Sequence, residues 1–103
     1  MKDTINTKVY DTDKAKLVAE DGSKTFGHDS HAWKEKLYVT RKGTWFLHGW
    51  GAELTEYAER DSQNLSPGES IIPMTREEAL AWCEEHRAQD AIDTHFSDMI
   101  EEA

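Results

Sequence analysis

With one cysteine, Cys83, the chain has no internal disulfide framework, which is what a reducing cytosol permits. It also lacks the run of roughly 18–20 apolar residues that a membrane span needs, and Met1-Lys2-Asp3-Thr4 opens no hydrophobic signal segment. A soluble, cytoplasmic protein is expected. The phosphate-cradling loop is missing too: Gly49 and Gly51 flank Trp50 without the further glycine and lysine of a P-loop. So is the G-x-S-x-G elbow of serine hydrolases, and Ser66, Ser70 and Ser97 fall in turn, strand-edge and helix contexts that capping or solvent explains. Paired carboxylates abound, but nothing marks two of them as held across a cleft. The expectation is a protein without catalytic residues.

Metal chemistry is no better marked. His28-Asp29-Ser30-His31 and Cys83-Glu84-Glu85-His86 each set two candidate ligands three apart, and His48 and His95 could complete a site only through folding. There is no second cysteine pair, no H-E-x-x-H helix and no calcium-loop pattern. His28 and His31 are therefore read as loop polar residues and Cys83 as a core residue, with no metal and no cofactor expected.

What is present is aromatic bulk and acid. The hydrophobic fraction is only 37%, yet four Trp, three Tyr and three Phe supply enough burial to separate this chain from acidic disordered tails. At 103 residues it has room for one domain, residues 1–103, with one modest core. The formal net charge is −9, and Thr75 to Ala103 holds nine acidic residues against Arg76 and Arg87, so about −7 of it sits in the last third. Such a field repels nucleic acid and anionic membrane and attracts basic protein over a Debye length of roughly 8–10 Å. Lys34, Lys36, Arg41 and Lys42 surround Trp33, Tyr38 and Trp45 in the manner of a stacking platform for single strands, but the overall charge opposes phosphate, and lysines beside a hairpin commonly protect a sheet edge. No direct nucleic-acid binding is expected.

Along the chain, Ile5–Tyr10 alternates as a short edge strand, while Ala15–Glu20 reads equally as strand or helical turn. Asp21 to Ser30 reads as a mobile loop. In Leu37–His48, β-branched and aromatic residues flank Lys42-Gly43, the pattern of a β-hairpin. A two-residue loop there pairs Val39 with Phe46 and Tyr38 with Leu47, placing Tyr38 and Trp45 on one face and Phe46 on the other. Aromatics on both faces imply helices over one and partial shielding of the second. Glu53–Arg60 has helical spacing at Leu54, Tyr57 and Ala58; Ser66-Pro67-Gly68 reads as a turn; and Ser70–Met74 reads as a strand beside the hairpin. Thr75 with Glu78 three residues on is a capping box, opening a helix with Ala79, Leu80, Trp82 and Cys83 inward. Ile92, Phe96, Met99 and Ile100 mark a second amphipathic piece from about Asp90. The fold class expected is α+β: a small antiparallel sheet built on the central hairpin, packed by one or two C-terminal helices.

The residues most expected to meet a partner are Glu77, Glu78, Glu84, Glu85, Asp90, Asp93 and Asp98. Acidic side chains one helical turn apart stand about 5–6 Å from each other, comparable with successive phosphates, so a DNA-binding groove would accept them. The plainer reading is a solubilising helix face. A second functional reading is a binding module using exposed aromatics, chiefly Trp50 and Tyr57, against a peptide or small ligand.

Two segments carry a resemblance: Leu37-Tyr38-x-Thr40-x-Lys42-Gly43-x-Trp45-Phe46-Leu47-x-Gly49 and Ile71-Ile72-Pro73-x-Thr75-x-Glu77-Glu78-Ala79-x-x-Trp82, with a start of Ile5-Asn6-x-Lys8-Val9-Tyr10-Asp11-Thr12. They resemble a family of small bacterial and phage-borne proteins with no assigned activity. The chain departs from that pattern at Gly49-Trp50-Gly51-Ala52 and after His86. The resemblance implies a shared fold, no catalytic residues, and a place on mobile elements like that of anti-CRISPR and other counter-defence proteins. It thereby implies a basic protein or nucleoprotein partner, such as a CRISPR effector subunit, in the bacterial host cytosol.

Overall fold

The aromatic hairpin is the middle of the sheet. In a computed structural model, which describes residues 1–24 and 29–103, β3 (Lys16–Gly22), β4 (Trp33–Val39), β5 (Trp45–Gly51) and β8 (Gly68–Met74) form a four-stranded antiparallel sheet in the order β3-β4-β5-β8. Two small hairpins accompany it, β1 (Lys2–Ile5) with β2 (Lys8–Asp11) and β6 (Glu59–Arg60) with β7 (Leu65–Ser66). Two helices follow, α1 (Arg76–Glu85) and α2 (Gln89–His95), then a 3₁₀ turn over Ser97–Met99. This is the α+β arrangement expected, with the antiparallel sheet packed by C-terminal helices.

The hairpin register differs from expectation by one residue. Val39 pairs with Trp45, Tyr38 with Phe46 and Leu37 with Leu47. The loop has three residues, Arg41-Lys42-Gly43, closed by Thr40 N–H donating to Thr44 O at 2.9 Å and Gly43 N–H to Thr40 O at 3.0 Å, with Gly43 in the left-handed region at φ 82°. A one-residue slip exchanges faces. Trp45 therefore joins Leu37 and Leu47 on the helix side, packed with Ala79, Leu80, Trp82, Cys83, Ala91, Ile92 and Phe96. Phe46 joins Tyr38 and Ile71 on the other side, where Tyr10 from β2 closes over them. Phe46 stacks on Tyr38 with centroids 5.2 Å apart and meets the Tyr10 ring edge at 5.4 Å. Both sheet faces are covered, helices on one and the N-terminal hairpin on the other.

That N-terminal hairpin replaces the single edge strand expected over Ile5–Tyr10. Asn6 and Thr7 both take positive φ, 50° and 66°, and reverse the chain between Ile5 and Lys8. Of Ala15–Glu20, residues Lys16 to Glu20 form strand, and Asp21 and Gly22, expected in the loop, extend β3 against β4. Residues 25–28 of that loop, His28 included, lie outside the described residues. The helix expected over Glu53–Arg60 is absent: the segment is a run of turns ending in β6, because the Thr55 hydroxyl and the Thr55 N–H both bond Ala52 O and Tyr57 N–H donates to Thr55 Oγ1. Ser66-Pro67-Gly68 joins β7 directly to β8 instead of turning. β8 is an edge strand, as Pro73 requires.

α1 opens as read. Thr75 Oγ1 accepts from Glu78 N–H at 3.1 Å, and Glu78 Oε1 accepts from Thr75 N–H at 2.9 Å. It closes in a Schellman turn: Ala88 N–H donates to Cys83 O at 2.9 Å and Arg87 N–H to Glu84 O at 3.3 Å, with Arg87 holding the left-handed position at φ 55° that glycine usually takes. The tight turn lets α2 fold back beside α1 with Ile92 and Phe96 buried, while Ile100 remains exposed.

Candidate functional site

Helix periodicity groups the α1 carboxylates. At about 100° per residue, Glu77, Glu78, Glu84 and Glu85 fall within roughly a third of the circumference, opposite Ala79, Leu80 and Cys83. All four are exposed. Glu78 is committed to the cap through one oxygen. The remaining three acids are separate from this stripe. Asp98 is clamped by Arg76, whose Nη1 and Nη2 donate to its two oxygens at 2.8 and 2.6 Å. That bidentate pairing holds the Asp98 carboxyl below its usual range and pushes Arg76 up. Asp93 accepts from Gln89 Nε2 at 2.9 Å, and Asp90 is exposed in the first turn of α2. The structure thus brings the four glutamates together and takes Asp98 out of the free negative charge.

A second constellation escaped the sequence reading. Glu35, in the middle of β4, is the buried charged residue of the core, with the carboxyl turned to the helix side. Tyr57 Oη donates to its Oε2, and Trp82 Nε1 donates to its Oε1 at 2.9 Å. His86 Nε2 stands 3.6 Å from the same Oε1, while His86 Nδ1 meets Asp21 Oδ2 at 2.7 Å. Four elements converge there: β3, β4, the 52–57 segment and α1. His86 is also stacked on Trp82, centroids 4.2 Å apart, and edge-on to Trp33 at 5.8 Å. The hydrogen bond from His86, then that from Gly22 N–H, lowers the Asp21 carboxyl. Burial, then the bond to Glu35, raises Tyr57 far above the ordinary phenol range, so its hydroxyl stays a donor. Among the described residues no buried side-chain nitrogen or oxygen lacks a hydrogen-bond partner.

Tyr57 reaches Glu35 by lying flat on Gly49. A Cβ at Gly49 would sit 2.0 Å from Tyr57 Cζ and 2.1 Å from its Oη, so any side chain there displaces the ring. This corrects the reading of Tyr57 as an exposed aromatic: it is buried, and only Trp50 of that pair is exposed. Beside the network runs an open groove of about 600 Å³, floored by Glu35 and Leu47 and walled by Trp82, Glu85 and His86 on one side and by Leu54, Thr55, Glu56 and Tyr57 on the other. Trp33 and His31 close one end, Ile72 and Met74 the β8 edge.

Among the described residues no three His, Cys, Asp or Glu side chains gather to hold a metal, and no helix is long and apolar enough to cross a membrane. Cys83 is fully buried, and desolvation pushes its thiol up, the opposite of an activated nucleophile. No family model, curated protein or solved structure matches the chain.

Proposed function

We propose that the protein acts by binding, not by chemistry, and that its exposed α1 glutamates dock on a basic surface of another protein or nucleoprotein. The observation that carries this reading is the stripe of Glu77, Glu78, Glu84 and Glu85 on one solvated face of a capped helix. The only cation on α1, Arg76, is already neutralised by Asp98. A chain of net charge −9 adds long-range steering toward a basic partner, an effect on association rate that salt screens. In its sharpest form the stripe stands in for a row of phosphates in a nucleic-acid channel of a bacterial defence complex. The resemblance to phage-borne proteins supports that form, and Asp90 and Asp93 add exposed carboxylates on α2.

The test is charge removal without loss of fold. Changing Glu77, Glu78, Glu84 and Glu85 to Gln preserves the capping box, since glutamine at that position bonds the Thr75 amide as glutamate does. The variant keeps its melting temperature and no longer captures basic proteins at low salt. Unchanged capture would remove the stripe from the mechanism.

A further inference from the structure

Docking through the α1 stripe leaves the groove beside Glu35 unused. We propose that it receives an arginine side chain presented by the partner, an inference that rests on the basic-partner reading and narrows it. The lining side chains include three carboxylates, Glu35, Glu56 and Glu85, and among the described residues no Lys or Arg lines the groove. The lining also includes His31 and His86, and His86 Nδ1 is held by the Asp21 carboxylate at 2.7 Å. Charge complementarity therefore calls for a cation.

The walls select which cation. Trp33, half-buried at one end of the groove, offers aromatic surface, and a planar guanidinium stacks on such a ring and sheds its water more readily than an ammonium. Leu54 and Ile72 stand exposed at the rim, 53% and 39%, where they can cover a methylene stem while the charged head reaches carboxylates. Glu35 accepts from Tyr57 and Trp82 and has His86 Nε2 3.6 Å from Oε1, which still leaves part of its roughly four acceptor positions open. A volume of about 600 Å³ accommodates one such side chain with its flanking backbone. Glu85 belongs both to the groove wall and to the α1 stripe, so a basic segment lying along α1 passes the groove mouth.

The experiment is a titration of the chain, followed by the indole N–H resonances of Trp33 and Trp82, with a blocked Gly-Arg-Gly tripeptide at constant ionic strength. Matched tripeptides carrying lysine or citrulline, the latter an uncharged analogue of arginine, are titrated alongside. Saturable shifts with arginine are expected, about tenfold weaker with lysine and absent with citrulline. Glu56→Gln with Glu85→Gln should weaken the arginine response about tenfold at an unchanged melting temperature, while Glu77→Gln with Glu84→Gln leaves it unchanged. Equal shifts with citrulline, no shifts with arginine, or shifts that depend on protein concentration alone, as a second copy in the groove would give, each overturn the proposal. The two readings fail separately. Loss of capture by the Glu77/Glu84 variant with indoles blind to arginine sinks the groove alone, whereas arginine binding with capture indifferent to α1 sinks the acidic stripe alone.

Discussion

Gly49→Ala should be among the most damaging single-methyl additions available to this protein. The residue lies in β5 without positive φ, so alanine meets no backbone obstacle, and the whole effect comes through Tyr57. With a Cβ placed 2.0 Å from Tyr57 Cζ, the ring must leave its seat. Tyr57 is 7% exposed, and burying a ring of its size removes on the order of 150 Å² from water, worth about 4 kcal/mol at ~25 cal/mol per Å². The phenol's bond to the Glu35 carboxylate adds about 1.5–3 kcal/mol. Partial refitting of the ring recovers some of this, leaving an expected loss of about 3–5 kcal/mol, a large share of the roughly 5–15 kcal/mol of a small domain. Urea unfolding followed by tryptophan fluorescence measures it. In a Tyr57→Ala background the same substitution should cost less than about 0.5 kcal/mol, because the three atoms nearest the Cβ all belong to the Tyr57 ring. A Gly49→Ala variant within about 1 kcal/mol of the parent, or one equally costly with and without Tyr57, would refute the argument.

Four further outcomes are expected. Tyr57→Phe keeps the ring and loses the donor to Glu35, at about 1.5–3 kcal/mol in the same unfolding assay. In the parent, Tyr57 has its folded pKa raised, so its contribution to stability is full below the unfolded phenol's ordinary value near 10 and is lost as pH rises above it; tyrosinate absorbance from Tyr57 should appear only together with unfolding. Asp21 has its folded pKa lowered, so the stability it adds is present above the ordinary carboxylate value of 3.8 and disappears as pH falls through the folded value; Asp21→Asn should be less stable than the parent at neutral pH and equal to it at the acid end, read from melting curves against pH. Arg87→Gly relieves a left-handed arginine at the end of α1 and should raise stability by up to about 1 kcal/mol, measured by thermal melting.

The elements written in side-chain alternation or capping chemistry were legible in the sequence. Thr75 and Glu78 announced α1, Ser70–Met74 announced a strand beside the hairpin, and the β-branched and aromatic flanks of Lys42-Gly43 announced the central hairpin. The N-terminal hairpin was hidden because its turn is Asn6-Thr7: threonine is β-branched and rarely takes positive φ, so the usual Asn-Gly signal was missing. Arg87 hid the end of α1 for the same reason. The slipped register reflects a three-residue loop, a choice that Lys42-Gly43 alone does not make. Glu53–Arg60 misled because Leu54, Tyr57 and Ala58 carry helical spacing, while Thr55 satisfies its backbone locally and Tyr57 is claimed by Gly49 and Glu35. The Glu35 network was the least visible of all. Asp21, Tyr57, Trp82 and His86 lie 14, 22, 47 and 51 positions from Glu35, and no short-range pattern joins them. The one signal available was a glutamate at an inward position of a strand that is otherwise apolar on that face, which demands partners.

The acidic stripe of α1 is the central claim, and capture of a DNA-binding protein tests it most directly. The chain is immobilised and offered a bacterial lysate at low salt; bound proteins are eluted by rising salt or by duplex DNA and identified by mass. The account predicts that a basic nucleic-acid-binding subunit leaves at moderate salt, is displaced by DNA, and does not bind when Glu77, Glu78, Glu84 and Glu85 are glutamine. Capture that resists salt and DNA, or that survives the four substitutions, would contradict it.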